Sequence, residues 1–127
     1  MSKKTKPLKG GEFIIRNILP NEIFIPETWN EEQRMIATMC EDFISSEVNP
    51  NIDRIEEMED GLMPLILEKA GELGLLGMTV PENLGRMGLD FKTSLLAAEK
   101  LAWGFSFSVA YGAQTGIRTL PIPLLWY

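Results

Sequence analysis

Apolar residues recur along this chain at three- and four-residue steps, the spacing of one buried helix face. Met35, Ile36, Met39, Cys40, Phe43 and Ile44 set the first such stripe. Thr28-x-x-Glu31 ahead of it has capping-box spacing, and Glu31 and Glu32 suit the positive end of a helix dipole, so the helix is expected to start near Thr28 or Asn30. Asn49-Pro50 should end it, because proline disfavours helical conformation in the residue before it. Residues 51–59 then read as an acidic helical turn or two with Ile52 and Ile55 inward.

A second stripe, Leu65, Ile66, Leu67, Ala70 and Leu73, follows Gly61, and Pro64 falls in the first turn, where its missing amide costs nothing. Gly74 is placed to stop this helix in a left-handed conformation. The apolar run from Leu75 to Val80 reads as a packed extended connection, and residues 83–88 as a loop. Asp90 is the expected cap of a third helix reaching about Trp103, with Phe91, Leu95, Ala98, Leu101 and Ala102 on its apolar face. A fourth helix spans about Ser106 to Thr119, and Pro121 forbids its continuation. Residues 12–24 read as short extended or turn segments after a flexible leader, residues 1–11. The expected class is therefore all-α, with four to five helices in a bundle-like arrangement around one core.

With 127 residues the chain has the length of one ordinary domain, and 45% hydrophobic and 24% charged residues is globular composition. A net charge of −6 argues against a nucleic-acid partner, which needs a basic face. Lys3, Lys4, Lys6 and Lys9 are the one basic concentration and read as a solvated terminus. No apolar run reaches the 18 or so residues of a transmembrane span, and no secretory signal pattern opens the chain. One cysteine, in helical register with Ile36 and Phe43, reads as a small core residue in a reducing compartment. A cytoplasmic location is the expectation. With no histidine, triad catalysis and Cys/His zinc sites are excluded, and no metal site is expected.

Gly71, Gly74, Gly77, Gly85 and Gly88 lack the spacing of a dinucleotide or P-loop phosphate cradle and read as caps and turns. The many carboxylates lie mostly on solvated helix faces, and no pair stands out for acid–base work. Glu99 lies near small apolar residues but is not read as a base. Residues 106–119 are unusually rich in small side chains: Ala110, Ala113 and Ile117 form one stripe, and Val109, Gly112 and Gly116 an adjacent one. Such a helix lets a ligand or another backbone approach closely, and the residues by themselves leave both open.

The run Leu62-Met-Pro-Leu-Ile-Leu-Glu-Lys-Ala-Gly-Glu-Leu-Gly-Leu-Leu-Gly-Met-Thr-Val-Pro-Glu-Asn-Leu-Gly-Arg-Met-Gly-Leu-Asp90 carries a further signal. With Glu31-Glu-Gln-Arg, Val48-x-Pro-x-x-Asp-Arg-Ile-Glu56, Asp90-Phe and Thr119-Leu-Pro, it resembles the amino-terminal helical domain of the FAD-dependent acyl-CoA dehydrogenases. The opening Lys9-Gly-Gly-Glu-Phe is similar to the long-chain-type branch. The resemblance places that domain at residues 12–121 and marks residues 122–127 as an apolar tail at a truncation point. It departs at Gly85-Arg86, where the family often has two glycines, and at Arg118, where a small residue is usual.

The function implied for the full-length family is α,β-dehydrogenation of a fatty acyl-CoA: a glutamate downstream removes the α-proton and FAD accepts the β-hydride. Within that scheme this domain lines the acyl chain through Val109, Ala110, Ala113 and Ile117 and packs against the remaining dehydrogenase domains. It supplies no catalytic and no cofactor-binding residue. The implied partners are fatty acyl-CoA and those domains, in a homo-oligomer when full length. The fragment alone is expected to hold no FAD, to be inactive, and to self-associate through its apolar tail. The alternative reading is a stand-alone helical module that binds an acyl chain or a protein.

Overall fold

The computed structural model describes Leu8 and residues 10–19, 22–23, 28–84, 87–119, 121 and 125. Most of the leader, the Gly85-Arg86 pair and most of the tail at 122–127 lie outside the described residues. The chain divides into two compact units, Met1–Glu31 and Glu32–Tyr127. Every regular element among the described residues is helical, as the all-α class requires.

In the first unit, Glu12–Ile15 forms one short helix, α1, where the pattern pointed to extended or turn segments. Gly11 enters it with φ 78°, and Arg16 pairs with Glu12 at 3.0 Å, one turn apart. That local ion pair and the glycine entry suit a helical turn, which the apolar spacing alone did not signal. Phe13, Ile14 and Ile15 are exposed.

The remaining helices are α2 (Glu31–Phe43), α3 (Ile52–Glu56), α4 (Leu62–Glu72), α5 (Phe91–Leu101) and α6 (Ser106–Gly112). Proline at position 50 does not break α2 as expected. The chain widens into a π turn at Ile44–Val48 and tightens into a 3-10 turn at Asn49–Asn51. Asn49 stays helical at φ −55° and ψ −42°. A widened turn absorbs the missing proline amide, so the helix is deflected and continues into α3. Asn51 Nδ2 donates to the Glu47 carbonyl at 2.9 Å, satisfying one acceptor in the disturbed ladder.

Helix α4 opens at Gly61 and is followed by Gly74 at φ 79°, the left-handed stop read from the sequence. The segment after it is a 3-10 turn, Leu75–Gly77, where an extended connection was expected. It buries Leu75 completely and leaves Met78 and Val80 almost so. Asp90 caps α5 as expected: its Oδ1 accepts from the Thr93 amide at 2.8 Å and from the Thr93 hydroxyl.

The core is built from Cys40, Val48, Ile66, Leu75, Leu101 and Phe107, all fully or almost fully buried. Phe107 stacks at a tilt between Phe43 at 5.6 Å and Tyr111 at 6.3 Å. Gly104 is required here by space, since a Cβ would meet Phe107 Cδ1 at 2.9 Å and Ile44 Cδ1 at 3.0 Å. A buried polar link joins α2 to α5, with Gln33 Nε2 donating to Thr93 Oγ1 at 3.3 Å. Gln33 faces the core, and Met35, two positions on, is 68% exposed although it fell on the expected stripe.

Two expectations of the core stops here. The Cys40 thiol is sealed, and burial, followed by the Glu41 charge, pushes it up to about 11. It is expected to resist iodoacetamide at mildly alkaline pH in the folded chain and to react once guanidinium unfolds it; equal labelling in both states would show an open core. The Thr93 hydroxyl, then the Thr93 amide, hold the Asp90 carboxyl below its ordinary 3.8. A carboxylate depressed in the folded state stabilises above its unfolded pKa, and the benefit is lost as pH falls through the lowered value. Asp90→Ala should cost about 1 kcal/mol at neutral pH. In urea titrations the gap to the parent should narrow as the pH drops below about 4.

Candidate functional site

Helix α6 begins under constraint. Phe105, just before it, holds φ 49° and ψ −119°, a conformation that costs a non-glycine residue free energy and persists only when its surroundings enforce it. Glu56, at the end of α3, supplies that enforcement. Its Oε1 accepts from the Ser106 amide at 3.1 Å and its Oε2 from the Ser106 hydroxyl at 2.7 Å. An acidic group fifty positions away thus takes the part of an N-terminal cap, and the negative charge suits that helix end.

Beyond Gly112 the helix widens into a π segment, Ala113–Thr119. Thr115 Oγ1 donates to the Tyr111 carbonyl at 2.8 Å, and Thr119 Oγ1 reaches five residues back to the Gln114 carbonyl at 2.7 Å. Those hydroxyls donate to carbonyls of the widened ladder, whose own bonds span five residues. The change of pitch turns residues 113–119 away from the faces that a plain α-helical spacing assigns.

A groove of about 560 Å³ opens between the 75–80 turn, α5 and this last helix. Leu75, Met78 and Val80 line one side, Leu95 and Ala98 another, and Tyr111, Gly112, Thr115 and Gly116 the third. Tyr111 fixes the third side to the first, its Oη donating to the Leu75 carbonyl at 3.1 Å. Burial, with a smaller push from Cys40, raises this phenol to about 12, so it stays a neutral donor. The groove explains why the α5 pattern misled: Phe91 and Leu95 are exposed along it, as are Ala98 and Ala102. Helix α5 buries Thr93, Leu96, Ala97 and Leu101 in the core. On α4 Leu65 is about half exposed, as is Leu73 just after it, and Leu62, Ile66 and Ala70 are buried.

The four residues assigned to an acyl chain lie beside this groove and not in its lining. Val109 and Ile117 are 72% and 79% exposed, Ala113 is exposed and Ala110 half-buried. They make an outward apolar stripe along α6 and its π extension. The groove-lining residues Thr79, Ser94 and Ser108 were not singled out by sequence; nothing in local spacing marks a cavity shared by three segments. Glu99 is exposed on α5. Among the described residues no cluster of three or more His, Cys, Asp or Glu side chains could hold a metal. No helix among them is long and apolar enough to cross a membrane.

Comparison with known proteins places this arrangement. The family model for the acyl-CoA dehydrogenase N-terminal domain matches residues 30–125. A probable acyl-CoA dehydrogenase of Bacillus subtilis (strain 168) is 45% identical over 123 residues, which is 96% of this chain and 21% of that protein. The human mitochondrial short-chain specific acyl-CoA dehydrogenase is 36% identical over 81 residues, 63% of this chain and 18% of its own length. The crystal structure of an acyl-CoA dehydrogenase complexed with FAD from Bacillus anthracis matches with a TM-score of 0.83 at 43% identity, covering 91% of this chain and 20% of that one. The chain thus spans about a fifth of the length of these relatives. On that match the chain belongs to the acyl-CoA dehydrogenase family, as its amino-terminal helical domain.

Proposed function

We propose that this chain is the amino-terminal part of a flavin-dependent acyl-CoA dehydrogenase and forms one wall of the fatty acyl pocket. The observation that carries the reading is the match, over nearly all of this chain, to a fifth of a dehydrogenase whose structure was solved with FAD. Within that scheme the acyl chain lies along Val109, Ala110, Ala113 and Ile117. Their support is physical: an exposed apolar stripe with two alanines in it offers contact area with little bulk, which suits an extended alkyl chain. The Glu56–Ser106 bonds fix the start of that stripe. Arg118 turns outward, its Nη1 donating to Gln114 Oε1 at 3.1 Å, so its charge lies against a polar neighbour. Proton abstraction and the main FAD contacts belong to the remaining domains, and the chain by itself is inactive.

The first test is spectroscopic. The purified 127-residue chain should carry no flavin absorbance after desalting, and stoichiometric bound FAD would contradict this division of labour. The second completes the enzyme. Joining the chain to the remainder of the 45% identical Bacillus subtilis relative should restore FAD binding and acyl-CoA dehydrogenation. In that fusion Ala113→Leu should lower kcat/KM for long-chain relative to short-chain substrates by about tenfold, the scale of one or two misfitted methylenes. An unaltered chain-length profile would remove Ala113 from the acyl wall.

A further inference from the structure

The first unit presents apolar surface that neither the core nor the groove uses. Ile14 and Ile15, adjacent in α1, are 75% and 87% exposed, and Phe13 before them and Leu19 beyond are each more than half exposed. Helix α1 contributes no buried residue. Its turn is held by backbone bonds: Ile14 N donates to the Gly11 carbonyl at 3.0 Å and Arg16 N to the Glu12 carbonyl at 3.1 Å. The three apolar side chains are thus displayed together without being packed.

Charge is distributed unevenly along the chain. Five of its 12 basic residues, Lys3, Lys4, Lys6, Lys9 and Arg16, fall within residues 1–16, with Glu12 as the only acid there. The nearest acids are engaged locally: Glu12 pairs with Arg16 at 3.0 Å, and Glu22 Oε2 accepts from the Leu19 amide at 2.8 Å. Four lysines therefore precede the apolar turn with no acid among residues 1–11 to offset them, in a protein of net charge −6. An anionic surface attracts this segment and repels the acidic remainder, so it selects an orientation as well as a contact.

Spacing chooses between kinds of anionic partner. A groove on a protein takes residues three and four apart on one helix face. Residues 13, 14 and 15 are consecutive, so their side chains fan over about 200° of one turn. A rigid groove meets only part of that fan, whereas the headgroup layer of a bilayer is fluid and closes round all of it. We propose that residues 3–16 dock on an anionic lipid bilayer. Phe13, Ile14 and Ile15 enter the headgroup boundary, and Lys3, Lys4, Lys6 and Lys9 meet the lipid phosphates. Both sets are needed, since stable peripheral attachment takes an apolar and a polybasic signal together. The docking is independent of the dehydrogenase reading and uses none of its residues.

The test is flotation of the 127-residue chain with vesicles of phosphatidylglycerol and phosphatidylcholine in equal parts, and with phosphatidylcholine alone. The chain should bind the anionic vesicles, bind the neutral ones about tenfold less or weaker still, and be released by added salt. Ile14→Ser with Ile15→Ser, and separately Lys4→Glu with Lys6→Glu, should each weaken binding by about tenfold or more. Helical circular dichroism of the serine variant should match the parent, since both isoleucines are exposed; if it does not, the glutamate variant carries the test. Equal binding to neutral vesicles, or binding that survives either pair of substitutions, would overturn the proposal. Joined to the remainder of the 45% identical Bacillus subtilis relative, and whether or not that fusion is active, the chain should still float with anionic vesicles and lose this with the serine pair. Loss of flotation on joining would mean that the other domains cover α1, and would overturn it as well. A lipid-free dimer in sedimentation that the serine variant dissociates would assign the turn to a second copy of the chain, with the same consequence.

Discussion

The arrangement depends on the column of rings formed by Phe43, Phe107 and Tyr111. Phe107 has no exposed surface left, and its contact with the Phe43 ring holds α6 against the end of α2, with Tyr111 stacked on its other side. Burying a side chain of this size contributes about 1.5–3 kcal/mol, and tilted aromatic pairs add roughly 0.5–1.5 kcal/mol each. The column also sets the rest of the map. Gly104 must be small because Phe107 and Ile44 occupy its side-chain space. Tyr111, held by its ring, delivers its hydroxyl to the Leu75 carbonyl and so places the 75–80 turn. One face of α6 is thereby committed to the core, and its other faces are left for the groove and the outward stripe.

Polar contacts refine this packing without replacing it. The exposed pairs Lys69–Glu47 and Lys100–Glu41 link α4 and α5 to the α2 region, but pairs in solvent contribute only about 0–1 kcal/mol each. The chain from Gln33 through Thr93 to Asp90 does more, because Gln33 and Thr93 are buried and would be costly to leave unpaired. It couples the cap of α5 to the side of α2, so a local helix signal and a tertiary contact share one residue.

What could be read from the sequence was what local physics decides. Gly61, Gly74 and Asp90 act within a few residues of themselves, and each holds its expected place. Family membership was legible for the same reason, since the glycine run from Gly71 to Gly88 and the Asp90-Phe pair sit in short order. Facing was not legible. Apolar residues on α5 serve both a core and a groove, so Phe91 and Leu95 looked like core residues and Leu96 was overlooked. The π turns at Ile44–Val48 and Ala113–Thr119 shift the register; the proline at position 50 marks a disturbance at the first without saying that the helix widens and continues. The groove is shared by three segments distant in sequence, and only the fold brings them together.

The bond from Glu56 to Ser106 bears on the order in which this chain assembles. It closes a loop of fifty residues, whereas the caps at Gly61, Gly74 and Asp90 close only a few. Loop closure grows costlier with length, and contacts between distant positions slow folding. Helices α4 and α5 carry end signals within a few residues of themselves, whereas the start of α6 takes its acceptor from α3. Until that contact forms, nothing holds Phe105 in its left-handed conformation, and the stripe beyond it has no fixed origin. The origin of the outward stripe is therefore tied to α3 by a single exposed acid, a contact between distant positions and not a local signal.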